Sequence, residues 1–303
     1  LLSDIRVYYD LGLPADAEER RSIGGRKANP GDIEQLDVLP SINLIYKVKD
    51  DSLALMNLRA NYFRSLGRPS FREISSVDLD DFILRGRVRG NPTLEMTYVN
   101  NYDLRLETYF PRGDNVTLSL FYKQFENHIE LVKLPGGENF SWANAEASEA
   151  FGVELEGKLK LLRNLDLLGN ATFIQSSTTI TSTTATTKRS MFGQAPYILN
   201  GMLNYRLDSL GLELGVSYNV QGPKLAVVAT AGVAQPDVYE LPRHMIDLTL
   251  SKSLGKRFIV RARVRDLLNS PSRRSYEFDS GYDLDFDRYQ YGTEYILSIT
   301  YRI

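Results

Sequence analysis

The sequence predicts an all-β chain, an antiparallel transmembrane β-barrel sheet of about 12 strands. Three observations predict it. Apolar and polar residues alternate with period two through segment after segment. The segments run about 10 to 12 residues, against about 5 to 6 for a globular strand and about 9 to 11 for a tilted membrane-spanning one. Short and long connections also follow one another strictly in turn.

Taken in order, the segments lie near 2–10, 37–48, 53–64, 99–110, 115–130, 150–161, 165–176, 196–206, 211–221, 242–253, 257–267 and 293–303. The chain opens LLSDIRVYYD, strand-like at once, with no initiator Met and no basic-then-apolar leader, which predicts a piece of a longer chain. In YDLRLETYF, Leu104 and Leu106 oppose Asp103, Arg105 and Glu107. In FGVELEGKLKL, Val153, Leu155, Leu159 and Leu161 oppose Glu154, Glu156, Lys158 and Lys160. GLELGVSYNV sets Leu212, Leu214, Val216, Tyr218 and Val220 against Glu213, Ser217 and Asn219. RFIVRARVRD places Arg261, Arg263 and Arg265 opposite Val260, Ala262 and Val264. The last segment, EYILSITYRI, puts Tyr295, Leu297, Ile299, Tyr301 and Ile303 against Ser298, Thr300 and Arg302. Helical spacing fits none of these as well.

One such strand fits a soluble sandwich, valines inward, or a membrane barrel, valines to lipid and arginines to a wet lumen. The connections decide between them. KDDS (49–52), PRGD (111–114), LRN (162–164), LDSL (207–210) and LGK (254–256) are short turns. The stretches near 11–36, 65–98, 131–149, 177–195, 222–241 and 268–292 are long loops, uncommon in compact domains. A sandwich has no reason to gather every long loop at one end, whereas outer-membrane barrels have short periplasmic turns and long outer loops. Tyrosine is abundant, 18 against 13 Phe and one Trp, and Tyr9, Tyr46, Tyr62, Tyr109, Tyr122, Tyr205, Tyr218 and Tyr301 fall near strand ends. Such rings suit interfacial girdles, although strands favour Tyr in any fold.

Composition narrows the function classes. The 303 residues are 43% hydrophobic and 24% charged, with a net charge of −2, so nothing electrostatic points to nucleic acid. With no Cys, disulfides and thiolate metal sites are excluded. No apolar run is long enough for a transmembrane helix. His128 and His244 are the two histidines, and neither has a nucleophile motif beside it, so no catalytic residue is assigned. In DSGYDLDFD, Asp283, Asp285 and Asp287 with Glu294 echo a calcium loop, but Arg288 stands where the turn needs Gly. Solvated loop charge is the favoured reading for these and for Asp279, and no metal or cofactor is expected. The tract SSTTITSTTATTKRS (176–190) is a polar, low-complexity outer loop.

Several stretches carry a resemblance. LPSINLIYKV (39–48) followed by MNLRANYFRSLGRPSFREI (56–74), GNPTLEMTYVNNYDL (90–104), FGVELEG (151–157), GQAPYILNGMLNY (193–205) and DLLN (266–269) stand in this order. From about residue 37 onward this resembles the barrel of TonB-dependent outer-membrane receptors, the kind abundant in Bacteroidetes. The resemblance implies that residues 1–303 are the C-terminal portion of a 22-stranded barrel, with the N-terminal plug and first strands absent from this chain. It implies import across the outer membrane of a Gram-negative bacterium, driven by the TonB complex acting through that plug, with outer-membrane lipid around the barrel. Such barrels are sometimes paired with a surface lipoprotein lid, a contact these residues do not display. The terminal Ile303 departs from the aromatic that ends many such barrels, with Tyr301 nearby on the same face. Arg261, Arg263 and Arg265 are the candidate lumen contacts, to substrate, to plug or to neighbouring acids. The alternatives are a structural barrel subunit of an outer-membrane assembly and a self-contained 12-stranded channel or barrel phospholipase. The substrate, whether siderophore, corrinoid, glycan or peptide, is not legible.

Overall fold

The computed structural model describes residues 2–6, 32–75, 77–82, 84, 86–134, 139–181, 186–228, 236–255, 257–278, 281 and 284–302. Along the chain the strands are β1 (Leu2–Arg6), β2 (Asp32–Leu36), β3 (Ser41–Asp50), β4 (Leu55–Gly67), β5 (Asp78–Asp81), β6 (Gly86–Arg89) and β7 (Thr97–Tyr109). Next come β8 (Asn115–Lys133), β9 (Asn139–Leu162), β10 (Leu165–Thr181), β11 (Thr186–Arg189), β12 (Tyr197–Leu207) and β13 (Leu212–Gln221). The remaining strands are β14 (Lys224–Val227), β15 (Val238–Glu240), β16 (Met245–Leu254), β17 (Phe258–Arg265), β18 (Ser272–Tyr276), β19 (Asp285–Tyr289) and β20 (Glu294–Tyr301). A single-turn helix, α1 (Phe71–Ile74), follows β4.

Eleven strands form one antiparallel path, β3-β4-β7-β8-β9-β10-β12-β13-β16-β17-β20. They are eleven of the twelve segments read from the sequence. The first segment, expected at 2–10, is a strand over Leu2–Arg6, but it pairs with Asp32–Leu36 and stands apart from this path. Each short turn falls where expected, for local reasons. Asp51 Oδ1 accepts the backbone N–H groups of Leu53 and Ala54 at 2.8 and 3.0 Å, and Gly113, Gly211 and Gly255 take the left-handed backbone that tight reversals require.

Register sorts the side chains into two opposed surfaces. Directly paired residues share a face. On one face a row runs Leu58–Leu106–Leu118–Leu155–Ala171–Leu199–Val220, one residue from each successive strand. It is continued by Leu214–Leu250–Ala262–Leu297. On the other face the corresponding row reads Glu107–Thr117–Glu156–Asn170–Asn200–Asn219. The apolar face is uncovered: Leu104, Leu118, Leu155, Leu203, Leu250 and Leu297 are all exposed. Burying a leucine stabilises by roughly 1.5–3 kcal/mol, so so broad an exposed belt is tolerable in lipid and not in water. Tyr62, Tyr102, Tyr122 and Phe151 form a cross-strand row at its edge, the tyrosine ring centroids 5.1 and 6.2 Å apart. Beyond that row the same face turns polar, with Arg64, Asn100, Gln124 and Glu149.

The buried core lies beyond the tyrosines, in the long connections. β9 has 24 residues, and from Phe151 back to Asn139 it rises about 40 Å past the aromatic row. β8 rises beside it, so most of the stretch expected as a loop at 131–149 is paired strand. β6 adds to β9 in parallel, and Val228 bridges Val132. β14, β15, β18 and β19 form a second sheet. Leu84, Val88, Leu131, Phe140, Val227 and Val238 close a core between these pieces, with Trp142, Phe192, Tyr276 and Phe286 against it. The described parts of these connections thus pack together as a crown.

GNPTLEM (90–96) ties that crown to the wall. Ser70 and Glu73 form a capping box on α1, and the chain returns so close to this turn that a Cβ on Gly90 would lie 2.1 Å from the Ser75 carbonyl oxygen and 2.5 Å from that of Arg72. Asn91 donates to the Trp142 carbonyl at 3.0 Å, and Leu94 and Met96 are buried. Gly90→Ala is therefore expected to push backbone from backbone. The cost is about 1–3 kcal/mol or more, read as faster proteolysis of residues 68–96 with the heat-modifiable barrel band retained. Unchanged proteolysis would show that the approach relaxes freely.

Candidate functional site: the inner wall and its arginines

The polar face carries the charged and amide side chains. A hollow of about 480 Å³ opens on it, lined among others by Glu156, Lys158, Asn170, Asn200, Asn219 and Asp247. Asn219 donates to Asn200, which donates to Asn170 at 2.8 Å, so an amide ladder crosses three strands. To one side lies a self-neutralising charge network. Arg59 pairs with Glu107 at 2.8 Å, Arg105 pairs with Glu107 at 3.1 Å, and Arg105 also reaches Glu156 at 3.1 Å. On β12, Arg206 pairs with Asp166 at 2.7 Å.

On the other side stands β17. Arg261, Arg263 and Arg265 share the polar face, with Val260, Ala262 and Val264 on the apolar one. Arg265 pairs with Glu294 at 3.0 Å. Arg261 lies between Ser251 and Ser298, and Arg263 between Thr249 and Ile296; neither forms an ion pair or hydrogen bond among the described residues. The DLLN turn fixes the upper end of this strand. Asp266 takes a positive φ of 51°, its N–H donates to Asp247 Oδ1 at 2.9 Å, and its carboxylate receives Arg243. The Asp266 carbonyl accepts from Asn269 N–H and Thr293 Oγ1, both at 2.9 Å.

Several charges of the crown are held in pairs. Glu130, 1% exposed, receives both terminal nitrogens of Arg189 (2.6 Å for the shorter contact) and the Phe192 N–H at 3.3 Å. Sequence reading missed this pair, because its two residues lie 59 apart with no periodic signal to join them. The calcium-like acids are taken up by arginines: Asp285 by Arg273, and Asp287 by Arg274 in a two-point contact, with the Arg274 guanidinium over the Phe286 ring at 5.0 Å. Asp279 and Asp283 lie outside the described residues, and no group of three metal-ligating side chains occurs among those described.

The hydrogen bond from Arg273, with a second from Ser275 at 2.8 Å, holds the Asp285 carboxyl below its usual 3.8. A depressed carboxylate stabilises the folded form above the unfolded pKa, and that contribution is lost as pH falls through the folded value. Peptic cleavage of residues 276–289 is expected to rise below about pH 3.8. Asp285→Asn should abolish the pH step; a step of the same size in that variant would assign it elsewhere.

Neither histidine has a serine hydroxyl as a hydrogen-bond partner among the described residues. His244 Nδ1 is 2.7 Å from the Tyr218 hydroxyl. His128 sits 3.8 Å from Glu130, and burial pushes its imidazole below the usual range, Glu130 opposing and Arg189 assisting.

Residues 10–267 match the family model described as TonB dependent receptor-like, beta-barrel. No curated protein matches the chain significantly. Among solved structures, a mutant of the ferric enterobactin receptor PfeA from Pseudomonas aeruginosa is similar at 17% identity and a TM-score of 0.58, covering 89% of this chain and 40% of its own. The siderophore receptor PirA from Acinetobacter baumannii is similar at 13% identity and 0.58, covering 87% and 40%. The FpvAI–pyocin S2 complex contains a chain similar at 14% and 0.59, covering 89% and 34%. The chain thus spans about 40% or less of the structures it matches.

Proposed function

The chain belongs to the TonB-dependent receptor-like β-barrel family, and from that premise we propose that it is the C-terminal portion of an outer-membrane importer. The observation that carries this is the broad exposed apolar belt that follows the strand path from β4 to β20, backed by a charged inner wall. Such a surface meets lipid on one side and water on the other.

The sheet's edges support a larger barrel. Among the described residues β3 pairs with β4 alone and β20 with β17 alone, and all ten residues of β3 are exposed. Unpaired edges are not tolerated in hydrocarbon. As first and eleventh strands of an alternating path, β3 and β20 run the same way, so antiparallel closure needs an odd number of further strands. Eleven more would give the 22 of outer-membrane transporters. In this reading the TonB complex acts through a plug outside this chain, substrate enters past the crown, and outer-membrane lipid of a Gram-negative cell covers the belt. A lipoprotein lid would sit on the crown. The arginine face of β17 lines the path.

Growth on ferric siderophores, corrinoids, glycans and peptides, each as sole source, tests the function. Loss of one nutrient's use in both the receptor deletion and a strain lacking TonB is expected. Normal use of all four, with stoichiometric partners copurifying, would replace the importer by a structural barrel subunit. Acyl hydrolysis lost with His244→Ala would replace it by an enzyme.

A further inference from the structure

We propose that Arg261 and Arg263 form an anion-binding site on the inner wall, taking a carboxylate or phosphate group of a soluble ligand. The site rests on the barrel reading, since it needs the arginine face of β17 to meet water.

The observation is an exception to a rule. Arg59, Arg105, Arg206 and Arg265, on the same wall, each have a carboxylate within 3.1 Å. Arg261 and Arg263 have none among the described residues. Their cross-strand neighbours are Ser251 and Ser298, and Thr249 and Ile296. Neither adjoining strand therefore offers a carboxylate opposite them, although one of the two, β20, supplies Glu294 to Arg265 one step further on. The ladder read from sequence divides accordingly: Arg265 is neutralised, and the lower two guanidiniums are open.

The chemistry follows from the groups. Two residues apart on one face, the guanidinium stems stand about 7 Å apart and repel until an anion lies between or on them. Each guanidinium offers a rigid fork of N–H donors that matches carboxylate and phosphate oxygens. The hydroxyls of Ser251, Ser298 and Thr249 add neutral donors at the rim and no competing acceptor charge. Cations are excluded by the same field. Two forks at this spacing favour a ligand with two anionic groups over a lone one.

The test uses the full-length receptor extracted from outer membranes, with citrate and inorganic phosphate as probes at constant ionic strength. Binding is read calorimetrically and as a rise in the temperature at which the folded band converts on gels. Wild type is expected to bind citrate more tightly than phosphate. Arg261→Gln/Arg263→Gln should lose at least tenfold in citrate affinity, while Arg265→Gln should stay within about twofold. Equal citrate binding by wild type and the double variant would overturn the site. So would no response in wild type, accompanied by greater protease sensitivity of the double variant; that result would mean an acidic segment of the protein itself occupies the pair. A folded, heat-modifiable receptor without an anion response ends the site and leaves the importer standing. Absence of such a band in wild type ends the barrel reading as well.

Discussion

Ala262→Lys is expected to block assembly of the barrel, whereas Arg263→Gln, one residue away and at nearly the same depth, is expected to leave assembly intact. Ala262 sits in the row Leu214–Leu250–Ala262–Leu297, the apolar belt. A lysine on the lipid face costs roughly 2–4 kcal/mol near the bilayer midplane, a large share of a fold's whole margin of about 5–15. Arg263 faces the hydrated wall, where an amide replaces a guanidinium without desolvating anything. The measurement is the heat-modifiable band in outer-membrane fractions. Loss for Ala262→Lys with retention for Arg263→Gln is the expected pair of results. The reverse ranking would put the valines in a packed core and the arginines in bulk solvent, and the membrane barrel would be wrong.

The spanning strands and turns were legible because each obeys one local demand. Lipid requires an apolar residue at every second position, so Leu104, Leu118 and Leu155 announce their strands without knowledge of their neighbours. A tight reversal favours Asp, Asn or Gly, as at Asp51, Gly113 and Asn164. Above the tyrosine row that demand lapses. In the stretch 131–149 the face is set by whatever loop lies across it, so Leu131, Phe140 and Trp142 gave no period, and paired strand was expected as loop. The segment at 2–10 alternates like the rest, and only tertiary pairing to Asp32–Leu36 shows that it leaves the path. The arginine ladder was legible as a face, but which arginine is neutralised depends on Glu294 lying across the strand pair. In DLDFD the acids were visible and their partners were not. A register shift beside Arg274 lets consecutive arginines, Arg273 and Arg274, meet Asp285 and Asp287, and a shift of that kind leaves no mark in the sequence.

Glu130→Ala is expected to open the crown by about 3–5 kcal/mol, the cost of breaking a buried ion pair by removing one partner. The carboxylate is 1% exposed, and it neutralises the Arg189 guanidinium and satisfies the Phe192 N–H. These contacts fasten the return of the β10–β11 hairpin to β8, the strand that runs continuously from the spanning wall into the crown. Removing Glu130 strands a guanidinium that is only 10% exposed and cannot shed its proton. The converse change, Arg189→Met, leaves a carboxylate that escapes by taking up a proton, so its effect should be smaller. The double variant Glu130→Ala/Arg189→Met should recover part of the loss, because no buried charge is left unmatched. Amide exchange measured by mass spectrometry distinguishes these cases. Residues 186–196 and the Val132–Val228 bridge should exchange roughly two to four orders of magnitude faster in Glu130→Ala, with β7 and β12 below the tyrosine row unchanged. The exposed pair of Arg87 with Asp80, 3.5 Å apart, supplies the comparison; a surface pair of that kind is worth about 0–1 kcal/mol. If Glu130→Ala disturbs exchange no more than Arg87→Ala does, the pair is not what holds the crown closed, and the packing of Phe140, Leu131 and Val227 carries it alone.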